Sequence, residues 1–106
     1  MAVSFSLADR VALVTGASQG IGQAIAVALA QAGARVACSA RSGEALVETL
    51  GLIAGLGGVG VPVEWDVRDP RAAGPAVASV EERLGPLTLA VNNAGIGAGT
   101  PALDIT

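Results

Sequence analysis

The sequence has no lysine, no histidine and no tyrosine, and only one cysteine, one Trp and one Phe in 106 residues. Each gap removes a class of function. Without lysine, the glycine loop near the N-terminus cannot be a P-loop, which needs Lys after its last glycine to reach the phosphates. Without histidine, and with Cys38 as the only thiol, a transition-metal site built from protein ligands is not expected. Cys38 has no partner for an internal disulfide and lies in an apolar run, so it reads as a small buried hydrophobe in a reducing compartment. All six bases are arginine, set against nine acids for a net charge of −3. That balance leaves no basic patch for a nucleic acid. Residues Met1 to Arg10 lack the basic start and long apolar core of a signal peptide. The most apolar later window, Leu50 to Val63, is too short for a spanning helix and is broken by glycines and Pro62. The expectation is a soluble, cytoplasmic protein with no membrane or nucleic-acid partner.

What remains is aliphatic. The hydrophobic share is 52% with 2% aromatic, so the core is built from Val, Leu, Ile and Ala. Such a composition suits parallel strands buried between helices on both faces, which read as continuous apolar runs. The length allows one small domain.

The chain is organised around Thr15-Gly16-Ala17-Ser18-Gln19-Gly20-Ile21-Gly22. This loop follows the apolar run Val11 to Val14 and leads into a helical pattern with Ile21, Ala24, Ile25, Ala28, Leu29 and Ala32 on one face. Strand, glycine loop, helix is the order that seats a phosphate. Gly16 can turn tightly off the strand, Gly20 lets a diphosphate approach the backbone, and Gly22 lets the helix pack close. The helix N-terminus then offers unpaired N–H groups and partial positive charge to the anion.

The next strand reads as Arg35 to Ala40, with Arg41 just beyond its end, at the position beside an adenosine ribose in a Rossmann half. Ser42 can cap a helix from Glu44 to about Ala54, with Leu46, Val47, Leu50, Ile53 and Ala54 on one face. Val61 to Trp65 reads as a third strand, an edge one because of Pro62. Asp69-Pro70 reads as a helix start, followed by an apolar face of Ala73, Val77, Val80 and Leu84 that Gly85-Pro86 ends. The fourth strand, Leu87 to Val91, runs into Asn92-Asn93-Ala94-Gly95, and Asp104 or Thr106 could cap a helix at the sequence end.

Two of these stretches together carry a resemblance. The spacing G-x-x-x-G-x-G of Gly16, Gly20 and Gly22, and Asn92-Asn93-Ala94-Gly95 after the fourth strand, resemble the two signatures of the short-chain dehydrogenase/reductase family. The resemblance covers nearly all of this chain but only the family's N-terminal, cofactor-binding part. It implies an α/β fold, a doubly wound Rossmann-type parallel sheet of order 3-2-1-4, over a domain 1–106 incomplete at its C-terminal side. It implies cofactor binding by Gly16, Ser18, Gln19, Gly20, Ile21, Gly22, Arg41, Asp66, Val67, Asn93, Ala94 and Gly95, with Asn92 structural. In that setting the Asp66 carboxylate would accept from the adenine amino group and the Val67 amide would donate to a ring nitrogen, the alternative being a plain turn aspartate. Arg41, with no acid nearby until Glu44, resembles the residue that accepts a 2′-phosphate, which implies NADP(H) over NAD(H). Gln19 stands where many NADP-preferring members carry Arg or Lys, and a solvated strand-end Arg41 is the alternative.

The family moves a hydride between nicotinamide and a carbonyl or alcohol, using a Tyr whose pKa is lowered by a Lys four residues on, with a Ser on the substrate oxygen. Neither Tyr nor Lys is present, so no catalytic residue is assigned and this chain alone is expected to be inactive. The parent would act on a small-molecule carbonyl or alcohol and form a homo-oligomer. The other readings are a stand-alone, non-catalytic nucleotide-binding or interaction module and a relict that binds nothing. A fourth strand with an open edge and an uncovered face would in isolation favour association.

Overall fold

The computed structural model describes residues 6–93. Four strands, β1 (Val11–Val14), β2 (Arg35–Ala40), β3 (Val59–Glu64) and β4 (Leu89–Val91), form one parallel sheet in the order β3-β2-β1-β4. Three helices connect them: α1 (Gly20–Gln31), α2 (Val47–Gly55), which follows a single 3-10 turn at Gly43–Leu46, and α3 (Ala73–Leu84). Strand–helix–strand order with parallel pairing places the helices on the two faces of the sheet. The side-chain alternation of β1 divides the core accordingly. Ala12 and Val14 pack with Ala26, Ala30, Leu46 and Ile53 of α1 and α2, while Val11 and Leu13 pack with Ala76, Val80 and Leu84 of α3. The expected Rossmann-type α/β architecture and its 3-2-1-4 order are therefore observed.

Helix α1 is turned one position away from the face its periodicity suggests. Gly22, Ala26 and Ala30 are the buried stripe, with Ile25 and Leu29 flanking it, while Ile21, Ala24 and Ala28 face outward. The reason lies at Gly22. A Cβ there would overlap the Gly16 carbonyl oxygen and come within 2.5 Å of Asn93 Nδ2, so this hydrogen-only position is the one that can face the loop. Fixing Gly22 inward fixes the rotation of the helix, and the alanines four and eight residues on then let it lie close on the sheet.

Ser42 makes no capping hydrogen bond, and the Gly43 amide donates instead to Glu64 Oε2 (2.9 Å) at the end of β3. The buried face of the segment is Leu46, Thr49 and Ile53, with Val47 and Ala54 exposed. Asp69 does not cap α3. Its Oδ1 accepts from the Arg71 amide (3.0 Å), closing a local turn, and the helix starts at Ala73 with Pro75 in its first turn, where a missing N–H costs no intrahelical bond. Strand β3 begins two residues earlier than expected and β4 is confined to three residues. Thr88, ahead of β4, instead bonds Val11 through both its amide (3.0 Å to the carbonyl) and its hydroxyl, which accepts from Val11 N (3.1 Å).

Candidate dinucleotide site

The carboxyl ends of β1, β2 and β3 open into a cleft of about 300 Å3. Gly16, Ser18, Arg41, Asp66 and Val67 meet there, joined by Arg68, Ser39, Ala40 and Trp65. Residues from three separate loops, expected from the sequence to share one ligand, thus line one space. Gln19, Gly20 and Ile21 are exposed at the start of α1, Gly22 is buried beneath the loop, and Asn93 is buried behind it. Ala94 and Gly95, and the capping positions Asp104 and Thr106, lie outside the described residues.

The start of α1 is made of backbone. Gln19 occupies the cap position in an extended conformation with no side-chain capping bond, and the first turn contains no acidic residue. The N–H groups of the first turn have no intrahelical acceptor, and among the described residues no side chain has taken them. Gly20 has φ +60°, and a Cβ there would meet nothing within 4 Å. Its missing side chain serves the left-handed backbone and leaves open space above it, unlike Gly22, whose missing side chain serves packing.

The loop is braced from two sides. Asn93 Nδ2 donates to the Gly16 carbonyl (3.2 Å) and the Asn93 amide donates to Thr15 Oγ1 (2.8 Å), which in turn reaches Asn92 Oδ1 (3.1 Å). From α2, the buried Thr49 hydroxyl donates to the Ala17 carbonyl (2.7 Å) and accepts from Gln23 Nε2 (3.0 Å), an amide that also reaches the Ser18 carbonyl (3.4 Å). Buried loop carbonyls that lack ladder partners are therefore satisfied by side chains. The Thr49 brace escaped the sequence reading, although a threonine among Leu46, Leu50 and Ile53 is the one polar residue at a buried helical position among the described residues.

The far end of the cleft is charged. Asp66 Oδ1 accepts from the Arg68 amide and from Arg68 Nε, and Oδ2 accepts from Arg68 Nη2, all at 3.0 Å. These bonds hold the Asp66 carboxyl down at about 2 and raise the Arg68 guanidinium above its ordinary value. Arg41, exposed at the end of β2, is engaged by no such partner among the described residues and adds a weaker pull on Asp66. With Asp66 neutralised by Arg68, the cleft carries the uncompensated positive charge of Arg41. Cys38, one residue before Ser39, is buried deeply enough to push its thiol up to about 12. Among the described residues no cluster of His, Cys, Asp or Glu could hold a metal, and no helix is long and apolar enough to cross a membrane.

The fit of the cleft to a nucleotide rests on the loop above it. Gly20 carries no side chain into the open space beside it, and the first-turn amides of α1 have no side-chain partner among the described residues, which together make a cradle for an anion. Ser39 Oγ, Trp65 Nε1 and Asn93 Oδ1 also lack a partner among the described residues, but all three are closed off from solvent.

A parallel 3-2-1-4 sheet with a glycine loop after its first strand defines a Rossmann-type nucleotide fold. Residues 10–106 match the family model for short chain dehydrogenase, and the chain belongs to that family. It is 42% identical over 98 residues to a short chain dehydrogenase of Pseudocercospora fijiensis, covering 92% of this chain and 32% of that protein. A metagenomic short-chain oxidoreductase solved in complex with NADP superposes with a TM-score of 0.81 at 40% identity, over 90% of this chain and 43% of that one. Carveol dehydrogenase from Mycobacterium avium, solved in complex with NAD, gives 0.80 at 36% identity, over 89% of this chain and 38% of that one. The chain spans about a third of the length of the curated relatives it matches.

Proposed function

We propose that residues 1–106 form the dinucleotide-holding part of a short-chain oxidoreductase that prefers NADP(H) to NAD(H) and acts on a small-molecule carbonyl or alcohol. The observation that carries this reading is a cleft with Arg41, unengaged among the described residues, on one side and on the other the loop residues Gly16 and Ser18, which lead into an uncapped, acid-free helix start. The amides around Gly20, Ile21 and Gly22, with Ser18 and Gln19, would hold the diphosphate. Arg41 would hold the 2′-phosphate, Asp66 and Val67 the adenine, and Asn93, Ala94 and Gly95 the floor toward the nicotinamide. The bound nicotinamide would supply hydride transfer. This chain's residues bind and orient, and the proton donor is supplied from outside these 106 residues, because Tyr and Lys are absent from them. One complexed structural neighbour holds NADP and another NAD, so the preference rests on Arg41 and not on the neighbours.

That same absence favours a second reading, a non-catalytic nucleotide-binding module. A Tyr-x-x-x-Lys encoded in frame beyond Thr106 supports the oxidoreductase, and a stop codon there supports the module. In either case β4 bounds the sheet among the described residues, beside an apolar recess of about 260 Å3 that includes Leu13, Val77, Leu87 and Ala90. We place self-association on this side of the sheet.

Calorimetric titration of wild type and Arg41→Ala with NADPH and NADH tests the reading. A charged hydrogen bond to phosphate contributes about 1.5–3 kcal/mol, so the variant should bind NADPH roughly tenfold to a hundredfold more weakly. NADH binding should hardly change. Equal losses for both would refute the 2′-phosphate role.

A further inference from the structure

The Asp66–Arg68 pair has a geometry that an ordinary surface ion pair lacks. Residues two apart on a turn form a two-point guanidinium–carboxylate fork, and the Arg68 backbone amide adds a third bond. A carboxylate offers about four lone-pair positions. Two on Oδ1 are taken by Arg68 N and Nε, and one on Oδ2 by Arg68 Nη2. A single acceptor position therefore remains, on Oδ2, and the planar fork fixes its direction. Asp66 lies on the cleft wall with Val67, Arg41 and Arg68, and the Arg68 side chain is 71% exposed against 40% for Asp66.

We propose that Arg68 is a positioning residue for base selection: by occupying three of the four acceptor positions of Asp66, it leaves one aimed acceptor that selects a purine carrying an exocyclic amino group. The inference rests on the dinucleotide reading of the cleft. An amino group at the purine 6-position donates to that acceptor. A 6-oxo group presents a second acceptor to a carboxylate held ionised, and the two repel. A carboxylate free to rotate could turn away from the oxo group, so the selection depends on the lock and not on Asp66 alone. Arg68 escaped the sequence reading because its role is defined only by which atoms of Asp66 it reaches.

The test compares two probes that differ only at that position, NADPH and reduced nicotinamide hypoxanthine dinucleotide phosphate, titrated against the full chain by calorimetry. Wild type should favour the adenine form about tenfold or more, the factor that a hydrogen bond to a charged group supplies. Arg68→Ala should cut that ratio by about threefold or more, mainly through tighter binding of the hypoxanthine form, while Arg68→Lys, which keeps the charge but cannot fork, recovers only part of it. An unchanged ratio in Arg68→Ala with NADPH binding intact overturns the proposal and leaves the dinucleotide reading standing. A loss shared equally by both probes shows a merely structural role and also overturns it. A loss confined to phosphorylated cofactors, seen by adding the NADH pair, makes Arg68 a phosphate ligand instead. Failure of wild type to bind either probe removes the dinucleotide reading and the proposal together.

Discussion

At the α1 end of the cleft the chain presents backbone, and at the β2–β3 end it presents side chains. The first end is held from beneath: Gly22 fits against the Gly16 carbonyl, Asn93 bonds that carbonyl, and Thr49 bonds the next one along. The second end is held from its own surface, by a fork between two residues of one turn. The difference teaches how the two halves of a binding site can fail. Damage to the backbone end should appear first as lost stability, because the supports are buried parts of the core. Damage to the side-chain end should appear as altered selectivity in a protein that folds as before.

The strongest way to break this comparison is Gly22→Ala. The new methyl would overlap the Gly16 carbonyl, which is backbone and cannot swing aside, and would crowd the Asn93 amide as well, and overpacking of that kind costs on the order of 3 kcal/mol. Chemical denaturation should show it, and a variant as stable as wild type would mean that the loop is not supported through Gly22. Thr49→Val comes next. It removes the donor to the Ala17 carbonyl and one of two acceptors for the Gln23 amide, leaving the buried carbonyl unpaired at a cost of about 1–3 kcal/mol. A loss much below that range would show that the loop carbonyls find other partners.

At the other end the expected effects on stability are small. Arg68 holds the Asp66 carboxyl near 2, against an unperturbed 3.8, so the pair's contribution is present above the unfolded-state value and fades as the pH falls from there through about 2. The pair is exposed, so the fading should be slight, and stability should be flat across neutral pH for this group. Following the Asp66 carboxyl by NMR titration sharpens the point. Its midpoint should lie near 2 in wild type and return toward the ordinary carboxylate range in Arg68→Ala, and an identical midpoint in both would dissolve the fork.

The backbone end was largely legible in the sequence, because a glycine spacing reports directly on where the chain has no room or no handedness constraint. Strands β1 and β2 were legible as well, as unbroken apolar runs. The face of α1 was not, since Ile21 and Ala28 look as apolar as Ala26 and only the fit of Gly22 against Gly16 decides the rotation. The start of α3 was misplaced for a related reason: Asp69 can cap a helix or close a turn, and Arg71 settles that locally. Thr49 and Arg68 were invisible because each acts on a partner distant in sequence or through particular atoms.

In the proposed reading, the turn from β1 into α1 seats the dinucleotide's diphosphate on main-chain amides. Mapping amide resonances during a titration with NADPH tests it most directly. The amides of residues 18–22 should shift together and saturate, along with the Arg41 side chain, and inorganic diphosphate should partly reproduce the shifts at the loop but not at Arg41. Saturable shifts elsewhere with the loop amides unmoved would contradict it.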